Sequence, residues 1–84
     1  MKRNIDHIGL ILGIFESSSL ANLEVSEIAV GALAAGQADG EIISHHLMLC
    51  IDKGLVASQP NSNTYRLTWA GHDYLEAGRK SGIF

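Results

Sequence analysis

The run Ile43-Ser44-His45-His46-Leu47-Met48-Leu49-Cys50-Ile51-Asp52-Lys53-Gly54-Leu55-Val56 decides the fold. On a helical wheel Ile42, Ile43, Leu47, Leu49, Cys50 and Ile51 form a broad apolar arc with His46 inside it. Glu41, Ser44, His45, Met48 and Asp52 make the opposite face. Asp39 is placed to cap this helix at its start, and Gly54 to supply the left-handed residue just past its end. Leu55-Val56-Ala57-Ser58 then reads as a strand. Residues 59–63 are a polar turn containing Pro60, and Thr64-Tyr65-Arg66-Leu67 returns with the alternation of a second strand.

Working outward from that segment, the spacing predicts a helix over residues 4–17. Ile5, Ile8, Ile11, Leu12 and Phe15 share one face of it. Leu10 and Ile14 lie on the other side, so this helix is apolar twice over and calls for cover on both sides. Three serines from Ser17 onward break it. Ser26 is the expected N-cap of a second helix over residues 27–35, with Ile28, Val30 and Leu33 as its larger apolar residues and Gly36 as its stop. Downstream of the hairpin, Thr68 caps a last helix expected from Trp69 to about Ala77, with Arg79 and Lys80 suiting its negative end. Trp69 and Tyr74 are expected to pack it onto the first helix, because both are large and the core is small.

Composition limits the function classes. A chain of 84 residues holds one domain, assigned here to residues 1–84, and it is apolar enough (46% hydrophobic against 18% charged) to fold despite its small core. No apolar run approaches the roughly 20 residues that span a bilayer, so no membrane partner is expected. Cys50 is the single cysteine, which rules out an internal disulfide and fits the expectation of a cytoplasmic protein. The formal net charge of −3, with six cationic residues scattered along the chain, weighs against a strong nucleic-acid binder.

The fold class expected is mainly α with a small β-hairpin: three helices, a two-stranded wing and a C-terminal helix. Two phrases support it. The segment quoted above resembles the S-x-H-L-x-x-L-x-x-x-G-L-V phrase of bacterial winged helix-turn-helix repressors. The closing phrase Leu67-Thr68-Trp69-Ala70-Gly71-His72-Asp73-Tyr74-Leu75, with the opening Met1-Lys2-Arg3-Asn4-Ile5-Asp6, looks like an uncharacterised winged-helix family of bacteria and their prophages. Members of that family typically begin Met-Lys-Arg and close with Leu-Thr-Trp-Glu-Gly-His-Asp-Phe-Leu. Here Ala70 stands in place of the usual acid, and Gly78 interrupts what is usually a longer helix. The resemblance implies a fold and a phage or prophage context, and implies no particular activity.

The candidate working residues follow from that fold. Such folds lay the third helix in the DNA major groove, and here its outer face offers Ser44, His45 and Met48. The wing adds Asn61, Asn63 and Arg66, the last being the only nearby cation. Arginine is the commonest reader of guanine, and neither Arg nor Lys occurs on that helix face. His46 and Cys50 have the i, i+4 spacing of two metal ligands, but both fall in the apolar arc and no second pair completes a set. Adjacent His72 and Asp73 point apart on a helix, and no nucleophile accompanies them. The expectation is therefore a non-enzymatic interaction module with no cofactor, no metal and no small-molecule substrate, binding a protein partner or a second copy of itself. Leu10 and Ile14 are the candidate dimer face. The alternative is a DNA-binding transcriptional regulator acting as a homodimer.

Overall fold

Asp39 and Gly54 frame the central helix. The Asp39 carboxylate accepts from the backbone N–H of Glu41 at 2.9 Å and of Ile42 at 3.4 Å, satisfying donors that have no partner inside the helix. At the other end Gly54 has φ +78°, the N–H of Gly54 donates to Ile51 O, and the N–H of Leu55 donates to Cys50 O. This pair of bonds reverses the chain and delivers it into the hairpin. A computed structural model describes all 84 residues, and its elements in chain order are α1 (Ile5–Ser17), β1 (Asn22–Glu24), α2 (Val25–Ala34), α3 (Gly40–Asp52), β2 (Val56–Ser58), β3 (Thr64–Leu67) and α4 (Trp69–Lys80). Four helices thus surround a three-stranded antiparallel sheet of order β1-β3-β2.

The sheet has one strand more than the expected hairpin. β1 is three residues long, and its pattern of Leu23 buried between exposed Asn22 and Glu24 is too short to register as a periodicity. It forms because β3 offers a free edge: Leu23 pairs with Tyr65 and Asn22 with Arg66. Gln59 Nε2 donates to Asn22 Oδ1 at 3.0 Å, which ties the hairpin turn to the same strand.

α2 starts two residues earlier than expected. Glu24, not Ser26, is its N-cap, and the Glu24 backbone N–H donates to Glu27 Oε1 at 2.9 Å in a capping box. The sequence signal was an acid at the cap position, outside the usual serine or threonine. α4 runs three residues beyond the expected end, to Lys80. The helix runs through Gly78, which lies buried where the Phe84 ring occupies the space of its missing side chain, and the chain turns at Gly82 instead (φ +75°). The N–H of Ile83 donates to Gly78 O at 2.9 Å there, the same ending that α3 uses.

One core of 13 buried residues lies between these elements. α1 contributes Ile8, Ile11, Leu12 and Phe15; Ile28, Ala32, Ile43, Leu47, Cys50, Val56 and Leu75 close around it from the other elements, with Leu23 and Leu55 completing the set. Truncating a fully buried Ile or Leu in such a core costs about 2–5 kcal/mol. His46 is buried among them, and the fold satisfies both its ring nitrogens. Nε2 accepts from the Asn4 backbone N–H at 3.0 Å, and Nδ1 donates to Ile42 O at 2.7 Å, which is the neutral tautomer with its proton on Nδ1. The ring thereby ties the start of α1 to α3. Asn4 completes that start by accepting from the Asp6 N–H at 2.8 Å.

α4 closes the structure through Thr68 and Gly71. The Thr68 hydroxyl donates to Gly54 O at 2.6 Å and accepts from the Gly71 N–H at 3.0 Å, while the Thr68 N–H donates to Leu55 O at 3.0 Å. Gly71 is buried against the Leu55 carbonyl, and a Cβ there would overlap that backbone oxygen. Gly13, on α1, is the opposite case: an added Cβ meets nothing within 4 Å. Gly71→Ala is therefore expected to destabilise by about 1–3 kcal/mol, since backbone and not a flexible side chain must give way. Gly13→Ala is expected to stabilise by about 0.5–1 kcal/mol through helix propensity. Urea titrations of the two variants check this pair; equal effects of the same sign would contradict it.

Candidate functional site

The second apolar side of α1 lies at the foot of a groove. Leu10 and Ile14 are half-buried and pack against the edge of the core. α2 crosses α1 at Gly31, where the missing side chain admits Ile14; a Cβ there would sit 2.9 Å from Ile14 Cγ2. At the other end the Phe84 ring lies against Gly9 and Gly78 and packs at a tilt on Tyr74, with centroids 5.9 Å apart. So part of the side that needed cover receives it within the chain, from α2 and the C-terminal phenylalanine. Between them remains an open groove of about 700 Å³ along Leu10, Gly13, Ile14 and Ser17, walled by Gly31, Ala34 and Ala35. A second hollow of about 460 Å³ adjoins it across Ile14, Ser17 and Gly31 and reaches Leu23 and Val30.

α2 also carries exposed apolar side chains, of which Val30 lines the second hollow. Val30 and Leu33 are 69% and 62% exposed, because Ile28 and Ala32 are the residues that α2 turns inward. Small residues at 29, 31, 32, 34 and 35 let α2 lie close to α1. The same run of small residues obscures which way the helix faces when it is read as sequence alone.

The residues of the expected recognition face are less unified. Ser44 is exposed and Met48 is 50% exposed, but His45 is half-buried with its ring edge-on to His46 at 5.1 Å. Asn61 and Asn63 are exposed in the hairpin turn, and Asn63 holds the left-handed conformation (φ 51°) that asparagine tolerates better than most residues. Arg66 is exposed on the central strand β3, opposite Asn22 on one side and Ala57 on the other. No hydrogen bond links the α3 residues to Asn61, Asn63 or Arg66. His72 and Asp73 are both exposed on α4. No group of three or more His, Cys, Asp or Glu residues gathers in metal-binding geometry, and both nitrogens of His46 are already engaged by backbone.

Trp69 does not pack on α1. It is 84% exposed at the first position of α4, because Thr68 and Gly71 take the inward positions of that turn. Tyr74 does face inward, half-buried against the core, with Lys53 Nζ 5.9 Å from its ring centre.

The charges are not scattered once they are set on the elements. No Lys or Arg occurs from Asn4 to Asp52, a stretch that contains Asp6, Glu16, Glu24, Glu27, Asp39, Glu41 and Asp52. α1, β1, α2 and α3 are thus acidic throughout, and the cations sit at Lys2, Arg3, Lys53, Arg66, Arg79 and Lys80. This asymmetry was readable by comparing segments; the net charge of the whole chain conceals it. Arg79 crosses to Glu16 of α1 in the one ion pair, at 2.7 Å, and both partners are partly exposed.

No family model, curated protein or solved structure matches the chain. No helix is long and apolar enough to cross a membrane.

The fold alters the titration of Cys50. Burial in the core pushes its thiol up from 9.0 to about 12. The unfolded chain loses this proton above pH 9 while the folded chain keeps it. The stability contributed by the neutral thiol is therefore fully present below pH 9 and is lost as pH rises toward 12. Cys50→Ala removes that component, so its unfolding free energy should fall less steeply than the wild type's across this window in matched urea titrations. Parallel curves would mean that the thiol is reachable by water in the folded state.

Proposed function

We propose that the chain is a winged helix-turn-helix domain that works as a non-enzymatic interaction module, binding a protein partner through the α1/α2 face. The element order and the strand order β1-β3-β2 support the winged-helix reading, with α3 in the recognition position and β2–β3 as the wing. The resemblance of the closing phrase to a bacterial and prophage family supports a phage or prophage origin.

The observation that carries the protein-partner reading is the absence of any Lys or Arg on α2 and α3. Phosphate contacts supply most of the affinity of DNA-binding domains, and acids facing a phosphate backbone oppose it. Here the recognition helix carries Glu41 and Asp52 and no cation, and the wing tip from Gln59 to Asn63 is uncharged. The recessed apolar surface, in contrast, runs along α1 and α2, with Leu10 and Ile14 at its floor and the exposed Val30 at the edge of the adjoining hollow. Exposed apolar patches with a recessed centre are the usual mark of a protein-binding surface.

A DNA-binding regulator acting as a homodimer is the second reading. Ser44 and Met48 on the open face of α3, with Arg66 in the wing, favour it. A mobility-shift titration with random duplex at near-physiological salt separates the two. The protein-partner reading expects no complex at or below about 10⁻⁶ M protein. Tight binding with a steep salt dependence would put the regulator first.

A further inference from the structure

The groove along α1 is unusual for the charges at its margin. Asp6 and Glu27 are the charged residues that line it and the adjoining hollow. Glu24 lies beside them at the cap of α2, and Glu16 is held by Arg79 on the far side of α1. The apolar floor is therefore bordered by acids that have no cation of their own element to pair with. Leu10, Gly13, Ile14 and Ser17 follow the i, i+3, i+4, i+7 progression and so form one straight stripe along the helix. Gly13 is open above its Cα, so a visiting backbone can come close at the middle of the stripe.

We infer that this groove receives an amphipathic α-helix of another protein, one whose apolar stripe is flanked by lysine or arginine. This rests on the interaction-module reading above and names the partner's chemistry. A helix fits because a straight stripe between two helices is what another helix packs against, and apolar anchors at helical spacing are the standard form of helix-in-groove recognition. Basic flanks fit because Asp6 and Glu27 border both ends of the apolar surface, and opposite charge at a rim speeds encounter and fixes orientation. A second copy of this chain is the poorer occupant. Two-fold symmetry would bring the same acidic rim to both sides, so Asp6 and Glu27 would face carboxylates of the second copy with no Lys or Arg on α1, β1 or α2 to pair with them.

The test uses the full chain and a fluorescein-labelled peptide of leucine and lysine in amphipathic order. About 15 residues suffice to run the length of α1, at about 1.5 Å per residue. Fluorescence anisotropy should give a dissociation constant on the order of 10 μM. Gly13→Leu, which fills the open centre of the groove, should weaken it at least about tenfold, with circular dichroism confirming an unchanged fold. Asp6→Asn with Glu27→Gln should weaken it by a similar factor, and a leucine–glutamate peptide of the same pattern should not bind. Unchanged affinity in Gly13→Leu would overturn the inference, because the peptide would then be held elsewhere by the general acidity of the chain. Equal binding of the glutamate peptide would overturn the basic character of the partner. A wild-type dimer in sedimentation that Gly13→Leu dissociates would also overturn it, assigning the groove to a second copy while leaving the interaction-module reading in place.

Discussion

The corner at Gly54 and Leu55 is the constraint on which the rest of the structure depends. α3 ends there, β2 begins there, and α4 is anchored there through Thr68, 14 residues beyond Gly54, and Gly71. Gly54 must take a left-handed conformation to end α3, and Gly71 must lack a side chain so that α4 can rest on the Leu55 carbonyl. Thr68 then joins the two by donating to one backbone group and accepting from the other. With this corner made, Leu55, Val56 and Leu75 are carried into the same core that α1 fills from the opposite side.

This corner also explains the phrase Leu67-Thr68-Trp69-Ala70-Gly71. Thr68 and Gly71 are placed by backbone contacts and Leu75 by the core, so most of the phrase records how α4 docks. It therefore speaks to fold and says little about partner. Trp69 is the exception: the docking leaves it almost fully outside, and no core contact accounts for it.

The elements with strong local chemistry were legible in the chain. α3 was bracketed by Asp39 and Gly54, its apolar arc correctly held Ile43, Leu47 and Cys50, and the returning strand Thr64–Leu67 stood out by alternation. What escaped depended on distant partners. β1 is a strand because β3 offers an edge, and three residues carry no period of their own. The inward side of α2 is chosen by Ile14 entering the space at Gly31, which no pattern within α2 encodes. Trp69 was placed inside on size alone, whereas the position of Thr68 and Gly71 in the same turn decides that it points out. The groove was half visible: Leu10 and Ile14 announced a second apolar side of α1, but the covering by α2 and Phe84 came from segments far apart in sequence.

The proposed working surface lies on α1 and α2, and not on α3, the element that the winged-helix reading would make the recognition helix. The acidic stretch from Asn4 to Asp52 and the open apolar groove point the same way, one by weakening contact with phosphate and the other by offering a site for a helix. Amide-resolved NMR during a titration with the leucine–lysine helix tests this most directly. The largest shift changes are expected on Leu10, Gly13, Ile14, Val30 and Gly31, with Ser44, His45 and Met48 unmoved. Changes centred on Ser44, His45 and Met48, with the α1 and α2 glycines silent, would contradict it.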